Sequence, residues 1–92
     1  MNSSISIQIL PLSNVDRIAL IDEIIAFIKS RHDKVEVGPF ETVIEGEFPY
    51  VMETLQKSIE LAGQDCDNIF ANVKINYGNI LSIDEKVTKH RT

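Results

Sequence analysis

The sequence has one cysteine, Cys66, among 92 residues. An intrachain disulfide is therefore excluded, packing alone must hold the fold, and a reducing compartment is implied. Clustered positive charge is also missing. Nine Lys and Arg residues stand against fourteen Asp and Glu, for a net charge of −5, and only the C-terminal end gathers several basic residues. Nucleic-acid binding needs a basic stripe to meet phosphates, and none is present. No apolar run reaches membrane-spanning length. The opening Met1-Asn2-Ser3-Ser4-Ile5 lacks the basic start and apolar run of a secretory signal. These absences lead to the expectation of a cytoplasmic protein with neither nucleic-acid nor membrane partners.

The chemical inventory is equally spare. Four isolated glycines match no phosphate-cradling loop. His32 and His90 have no cysteine or carboxylate at ligand spacing, so no metal site is expected. Cys66 lies between Asp65 and Asp67, a setting that disfavours a reactive thiolate. Glu41, Glu45 and Glu47 share one strand face by parity. Two carboxylates act as acid and base only if one is desolvated, and an exposed acidic strand is the simpler reading. The expectation is no catalytic residue, no required cofactor and no enzyme.

What is present is regular patterning. A hydrophobic fraction of 43% and a charged fraction of 25% are those of a globular chain, and the length suits one domain over 1–92. Residues 4–10 alternate polar and apolar, which predicts a half-buried strand with Ile5, Ile7 and Ile9 inward, ended by Pro11. Ser13 with Asp16 three residues on predicts a capping box opening a helix from residue 14 or 15 to about 31. The apolar residues of that helix (Ile18, Leu20, Ile21, Ile24, Ile25, Phe27, Ile28) cover nearly half its circumference. One sheet contact usually needs less, and the excess points to burial against a neighbouring subunit.

Residues 34–37 form a short alternating strand, and Gly38-Pro39 a turn. Residues 40–47 form the next strand, with Phe40, Thr42 and Ile44 on one face and Glu41, Val43 and Glu45 on the other. Gly46 permits close approach or an unusual backbone angle. A second helix opens at Phe48-Pro49, since proline suits a first helical turn. It carries an apolar stripe of Phe48, Met52, Leu55, Ile59 and Ala62, and Gly63 stops it. Residues 69–77 alternate again, with Ile69, Ala71, Val73, Ile75 and Tyr77 inward. Ser82 with Glu85 opens a short C-terminal helix.

Strand, helix, strand, strand, helix, strand gives an α+β fold, the ferredoxin-like βαββαβ sandwich. A four-stranded antiparallel sheet carries two helices on one face, plus the short C-terminal helix. The first and third strands sit side by side at the centre. Parity places Gln8, Glu45, Asn72 and Lys74 on the helix-free face, a mixture of acceptors, donors and a cation suited to a flat aminated heteroaromatic ring. A Glu45–Lys74 charge pair, or polar contacts between subunits, would use the same residues.

The run Glu41-Thr42-Val43-Ile44-Glu45-Gly46-Glu47, followed by Val51-Met52, resembles the signature of the small thiamine-binding proteins of bacteria and archaea. Ile7-Gln8-Ile9-Leu10-Pro11, Gly38-Pro39, Val73-Lys74-Ile75 and Glu85-Lys86-Val87 match in consistent order. The resemblance implies a ferredoxin-like fold and self-association as dimers or tetramers through the sheets. It also implies non-catalytic binding of thiamine or its hydroxymethyl-aminopyrimidine moiety. Thr42, Glu45, Gly46 and Lys74 are the matching positions; with Gln8 and Asn72 they are the expected ligand-binding residues. Ala71-Asn72 and the turn Asn76-Tyr77-Gly78-Asn79 depart from the family pattern. The competing expectation is a structural or regulatory homo-oligomeric interaction module with no small ligand.

Overall fold

The computed structural model describes residues 1–12 and 15–79. Strand β1 (Asn2–Pro11) leads to helix α1 (Arg17–Arg31), a hairpin of β2 (Val35–Val37) and β3 (Thr42–Glu47), helix α2 (Phe48–Ala62) and strand β4 (Ile69–Tyr77). The sheet is antiparallel in the order β2-β3-β1-β4. This is the expected ferredoxin-like sandwich, with β1 and β3 at its centre. The predicted C-terminal helix lies outside the described residues, as does the Ser13 cap.

Alternation in β1 turns Ile5, Ile7 and Ile9 to the core, and Pro11 stays in the ladder at its last rung, opposite Ile69. Helix α1 starts later than the sequence suggests. Asp16 caps it, accepting from the Ala19 N–H at 3.1 Å. Leu20, Ile24 and Ile28, spaced by one turn, are its buried residues, while Ile18 stays exposed. Lys29 and Arg31 occupy the last turn, where cations meet the negative end of the helix dipole. Ile5, Ile28 and Ile44 are among the largest fully buried side chains; each such burial contributes about 1.5–3 kcal/mol before entropy is counted.

Three expectations need correction. Phe40 does not face the core: it is 78% exposed, because the strand begins only at Thr42 and a turn over 38–41 precedes it, closed by the Gly38 N–H on the Glu41 carbonyl at 2.8 Å. The deepest face of α2 is not the Phe48–Met52–Leu55–Ile59 stripe, whose members are half-buried. It is Val51, Thr54, Ser58 and Ala62. That face meets α1 as well as the sheet, and small hydroxylated residues let helices approach closely. Their hydroxyls are satisfied locally, Ser58 on the Thr54 carbonyl at 2.7 Å and Thr54 within 3.2 Å of the Tyr50 carbonyl. Finally, Ile75 and Tyr77 are 49% and 55% exposed, since β4 is an edge strand and its far end has little cover.

The glycines behave differently from one another. Gly63 ends α2 in right-handed conformation at φ −74. Gly46 has no positive φ; among the described residues only Gly78 does, at 114°. Gly46 packs close to α2, where a Cβ at its position would make ordinary contact with Val51 Cγ2 at 3.4 Å.

Candidate functional site

The register shows where each expected site residue falls. On the helix-free face Gln8 stands opposite Asn72, and the Asn72 amide donates to Gln8 Oε1 at 3.1 Å. Ser6 stands opposite both Val43 and Lys74. Lys74 reaches Glu41 rather than Glu45: its Nζ is 3.8 Å from Glu41 Oε2, with the lysine side chain 81% exposed. The same Glu41 oxygen accepts from Ser6 Oγ at 2.6 Å. Glu45 lies one rung further along, opposite Ser4. Gln8, Asn72 and Lys74 thus form a local group in which Glu41, not Glu45, supplies the carboxylate. A depression beside it is lined by Gln8, Glu36, Glu41, Val43 and Lys74. Of its polar side chains, Glu41 pairs with Lys74 and Gln8 accepts from Asn72.

Glu45 and Gly46 each offer a backbone carbonyl to a neighbouring side chain. The Gly46 carbonyl accepts from the buried Ser3 hydroxyl at 3.0 Å, and the Glu45 carbonyl accepts a hydrogen bond from His32. His32 is buried at the C-terminal cap of α1. Its Nε2 lies 2.7 Å from Thr54 Oγ1, and Arg31 Nε donates to that oxygen at 2.9 Å. With Nε2 on Thr54, the other ring nitrogen serves the Glu45 carbonyl. A neutral ring protonated on Nδ1 donates to Glu45 and competes, at 2.7 Å, with the Tyr50 carbonyl at 3.2 Å for the one Thr54 hydroxyl proton. Burial, and then the neighbouring Arg31 charge, hold the imidazole below its ordinary pKa of 6.5. Arg31 also packs on the Tyr50 ring, 4.4 Å from its centroid, and pairs with Glu53 at 2.9 Å. Hydrogen bonds from Arg31 and Lys57 lower the Glu53 carboxyl from its usual range.

Thr42 is on the opposite side of the sheet from Lys74 and has a different environment. It is 7% exposed and sits on the wall of a cavity of about 260 Å³ between α1, β1 and the turn over 38–41. The lining is mostly apolar, with Ile7, Ile9, Ile21, Ile25, Val37 and Pro39 among its residues. The Thr42 hydroxyl has no hydrogen-bond partner among the described residues. No described buried polar side-chain atom is sealed off without a partner, and Thr42 is one of the residues that line the cavity. Ile21 and Ile25 were legible in the sequence only as the surplus width of the α1 apolar arc, which there suggested a subunit contact. Both line the cavity, and Ile21 is also 37% exposed. Glu41 was legible as an acidic residue but not as the partner of Lys74.

The fold and this cavity define an α+β domain of ferredoxin-like type with a small apolar recess beside a buried hydroxyl. The chain belongs to the thiamine-binding protein family, whose model matches residues 5–91. A UPF0045 protein of Clostridium perfringens is 37% identical over 92 residues, covering 96% of each chain. A Streptococcus pneumoniae protein of known crystal structure is 54% identical, covering 96% of this chain and 99% of its own, with a TM-score of 0.84. A Thermotoga maritima structure, provisionally assigned to thiamine biosynthesis or salvage, is 31% identical and covers 99% of this chain and 100% of its own, with a TM-score of 0.86. No helix among the described residues is long and apolar enough to cross a membrane.

Proposed function

We propose that this protein binds thiamine or its hydroxymethyl-aminopyrimidine moiety without catalysing a reaction on it, and that the ring enters the cavity between α1 and the turn over 38–41. The observation that carries this reading is Thr42, a residue 7% exposed on the wall of that cavity whose hydroxyl has no hydrogen-bond partner among the described residues. A hydroxyl on the wall of a mostly apolar cavity is a fixed polar group that a ligand with a polar edge can use. At about 260 Å³ the cavity falls just under the roughly 300–1,000 Å³ of sites for drug-sized molecules, which suits one ring with short substituents. The family assignment and the name of the Thermotoga relative favour a thiamine-related ligand.

A binding role without turnover agrees with the described histidine being engaged at both ring nitrogens and with Cys66 being buried, its thiol donating to the Asn68 carbonyl. That buried free thiol also favours the cytoplasm as the place of action. Self-association as a dimer or tetramer belongs to the same reading, with the helix-free sheet face as the contact surface. Light scattering on the purified protein at micromolar concentration tests it, and a monomer mass would refute it.

The ligand test is thermal or urea unfolding with thiamine and with the pyrimidine alcohol. A ligand held only by the native state adds about 2.7 kcal/mol at 100 times its dissociation constant. The Thr42→Val variant should keep its fold and lose most of that gain. If millimolar thiamine and pyrimidine alcohol both leave the wild-type transition unmoved while the oligomer persists, the protein is an interaction module instead.

A further inference from the structure

The cavity has a second polar feature, in the backbone rather than in a side chain. Strand β1 is paired with β3 only as far as Ile7, opposite Thr42. On its other flank β1 continues in register with β4 through Gln8, Ile9, Leu10 and Pro11. Beyond Thr42 the preceding chain leaves the sheet plane in the turn over 38–41, whose own hydrogen bond, Gly38 N–H to the Glu41 carbonyl, closes it on itself. No backbone hydrogen bond runs from that turn to residues 8–10. Among the described residues, the β3 flank of β1 is therefore unpaired for about three residues.

Antiparallel geometry decides what stands in that gap. Alternate residues of a strand direct both their N–H and their C=O to the same neighbour. Within Gln8, Ile9 and Leu10, at least one residue must therefore present a donor and an acceptor, side by side, to the side that β3 has left. All three line the cavity together with Thr42, and Ile9 is 7% exposed. Backbone groups at such depth almost always have a partner.

Resting on the binding reading above, we infer that the vacant edge of β1 at residues 8–10 is a backbone-reading subsite for a planar heteroaromatic ring that carries an amino group next to a ring nitrogen. The amino group donates to the β1 carbonyl and the adjacent ring nitrogen accepts from the β1 N–H, so the ring replaces the missing rung of β3. Thr42 Oγ1 supplies a further contact from the strand end, and the isoleucines of α1 cover the ring face. Recognition of this kind selects for the donor–acceptor edge and not for positive charge. The face bearing Lys74, Asn72 and Glu41 takes no part in it.

Amide spectra of isotope-labelled full-length protein test this with three probes: the hydroxymethyl-aminopyrimidine alcohol, its analogue with methyl in place of the amino group, and plain 4-aminopyrimidine. The amino compounds should shift the amides of residues 8–10 and Thr42 and slow hydrogen exchange at one of residues 8–10. The methyl analogue should bind about tenfold more weakly or worse, the loss expected when a buried acceptor is left unpaired. If the alcohol binds but its shifts map to Asn72, Lys74 and Glu45, or if the methyl analogue binds equally well, the backbone subsite is refuted while the binding function stands. If 4-aminopyrimidine binds at residues 8–10 and the thiamine-related alcohol does not, the subsite stands and the thiamine assignment falls. No binding by any of the three overturns both.

Discussion

His32 Nε2 and Thr54 Oγ1 lie 2.7 Å apart in the interior, and this one contact ties the end of α1 to the middle of α2. Through its other ring nitrogen the same imidazole holds the Glu45 carbonyl of β3. One side chain therefore cross-links three elements.

Burial and the adjacent Arg31 lower the native pKa of His32 from 6.5, against a weaker opposing pull from the Glu45 carbonyl and Asp33. The unfolded chain, titrating near 6.5, then binds the proton more readily than the native state. Stability is undiminished above about pH 6.5 and falls as pH drops from there toward the native pKa, below which the effect levels off. Glu53 acts in a lower window: its lowered carboxyl favours the fold above about 4.5 and loses that effect under further acidification. Urea melts from pH 7.5 to 5 should show the decline, and His32→Gln should flatten it. An unchanged slope in the variant would show that other groups cause it.

Thr54→Val should destabilise the protein by about 1–3 kcal/mol, because it keeps the side-chain shape but leaves Arg31 Nε and the buried His32 ring without their shared oxygen. Equilibrium urea unfolding reads this directly. The same experiment on wild type and variant at pH 5 and 7.5 should show the two losses to be non-additive, since both act on one network.

Thr42→Val is the same chemical change with the opposite expectation. Its hydroxyl has no partner to strand, so stability should stay within about 0.5 kcal/mol of wild type or rise slightly. A loss above about 1 kcal/mol would mean the hydroxyl is structural and would weaken its assignment to a ligand.

Gly46 separates proximity from backbone freedom. A Cβ there makes ordinary contact with Val51 Cγ2 at 3.4 Å and φ is not positive, so Gly46→Ala should cost under about 1 kcal/mol. Gly46→Val adds two methyl groups against α2 and His32, and should cost about 1–3 kcal/mol by overpacking. Equal and large losses for both would restore a conformational role. Thermal melts suffice to compare them.

The sequence by itself determined the order of elements, the helix-free face and the identity of the core strands. The periods of two and of about three and a half residues record which side of each element is apolar, and burial of apolar area is what drives the fold. It also determined the family, through the run from Glu41 to Glu47. Parity put Gln8, Asn72 and Lys74 on one face, as the structure has them, but could not align them along their strands. That alignment depends on register, and the register made Glu41 the neighbour of Lys74. Where β3 begins was likewise a tertiary decision. The alternation of Phe40 with Thr42 reads as strand, yet the turn over 38–41 is closed by the Gly38 N–H on the Glu41 carbonyl and leaves Phe40 in solvent. Among the described residues, that departure leaves the flank of β1 unpaired beside Thr42. The cavity arises from chain segments that are distant in sequence, and no local pattern encodes the space between them.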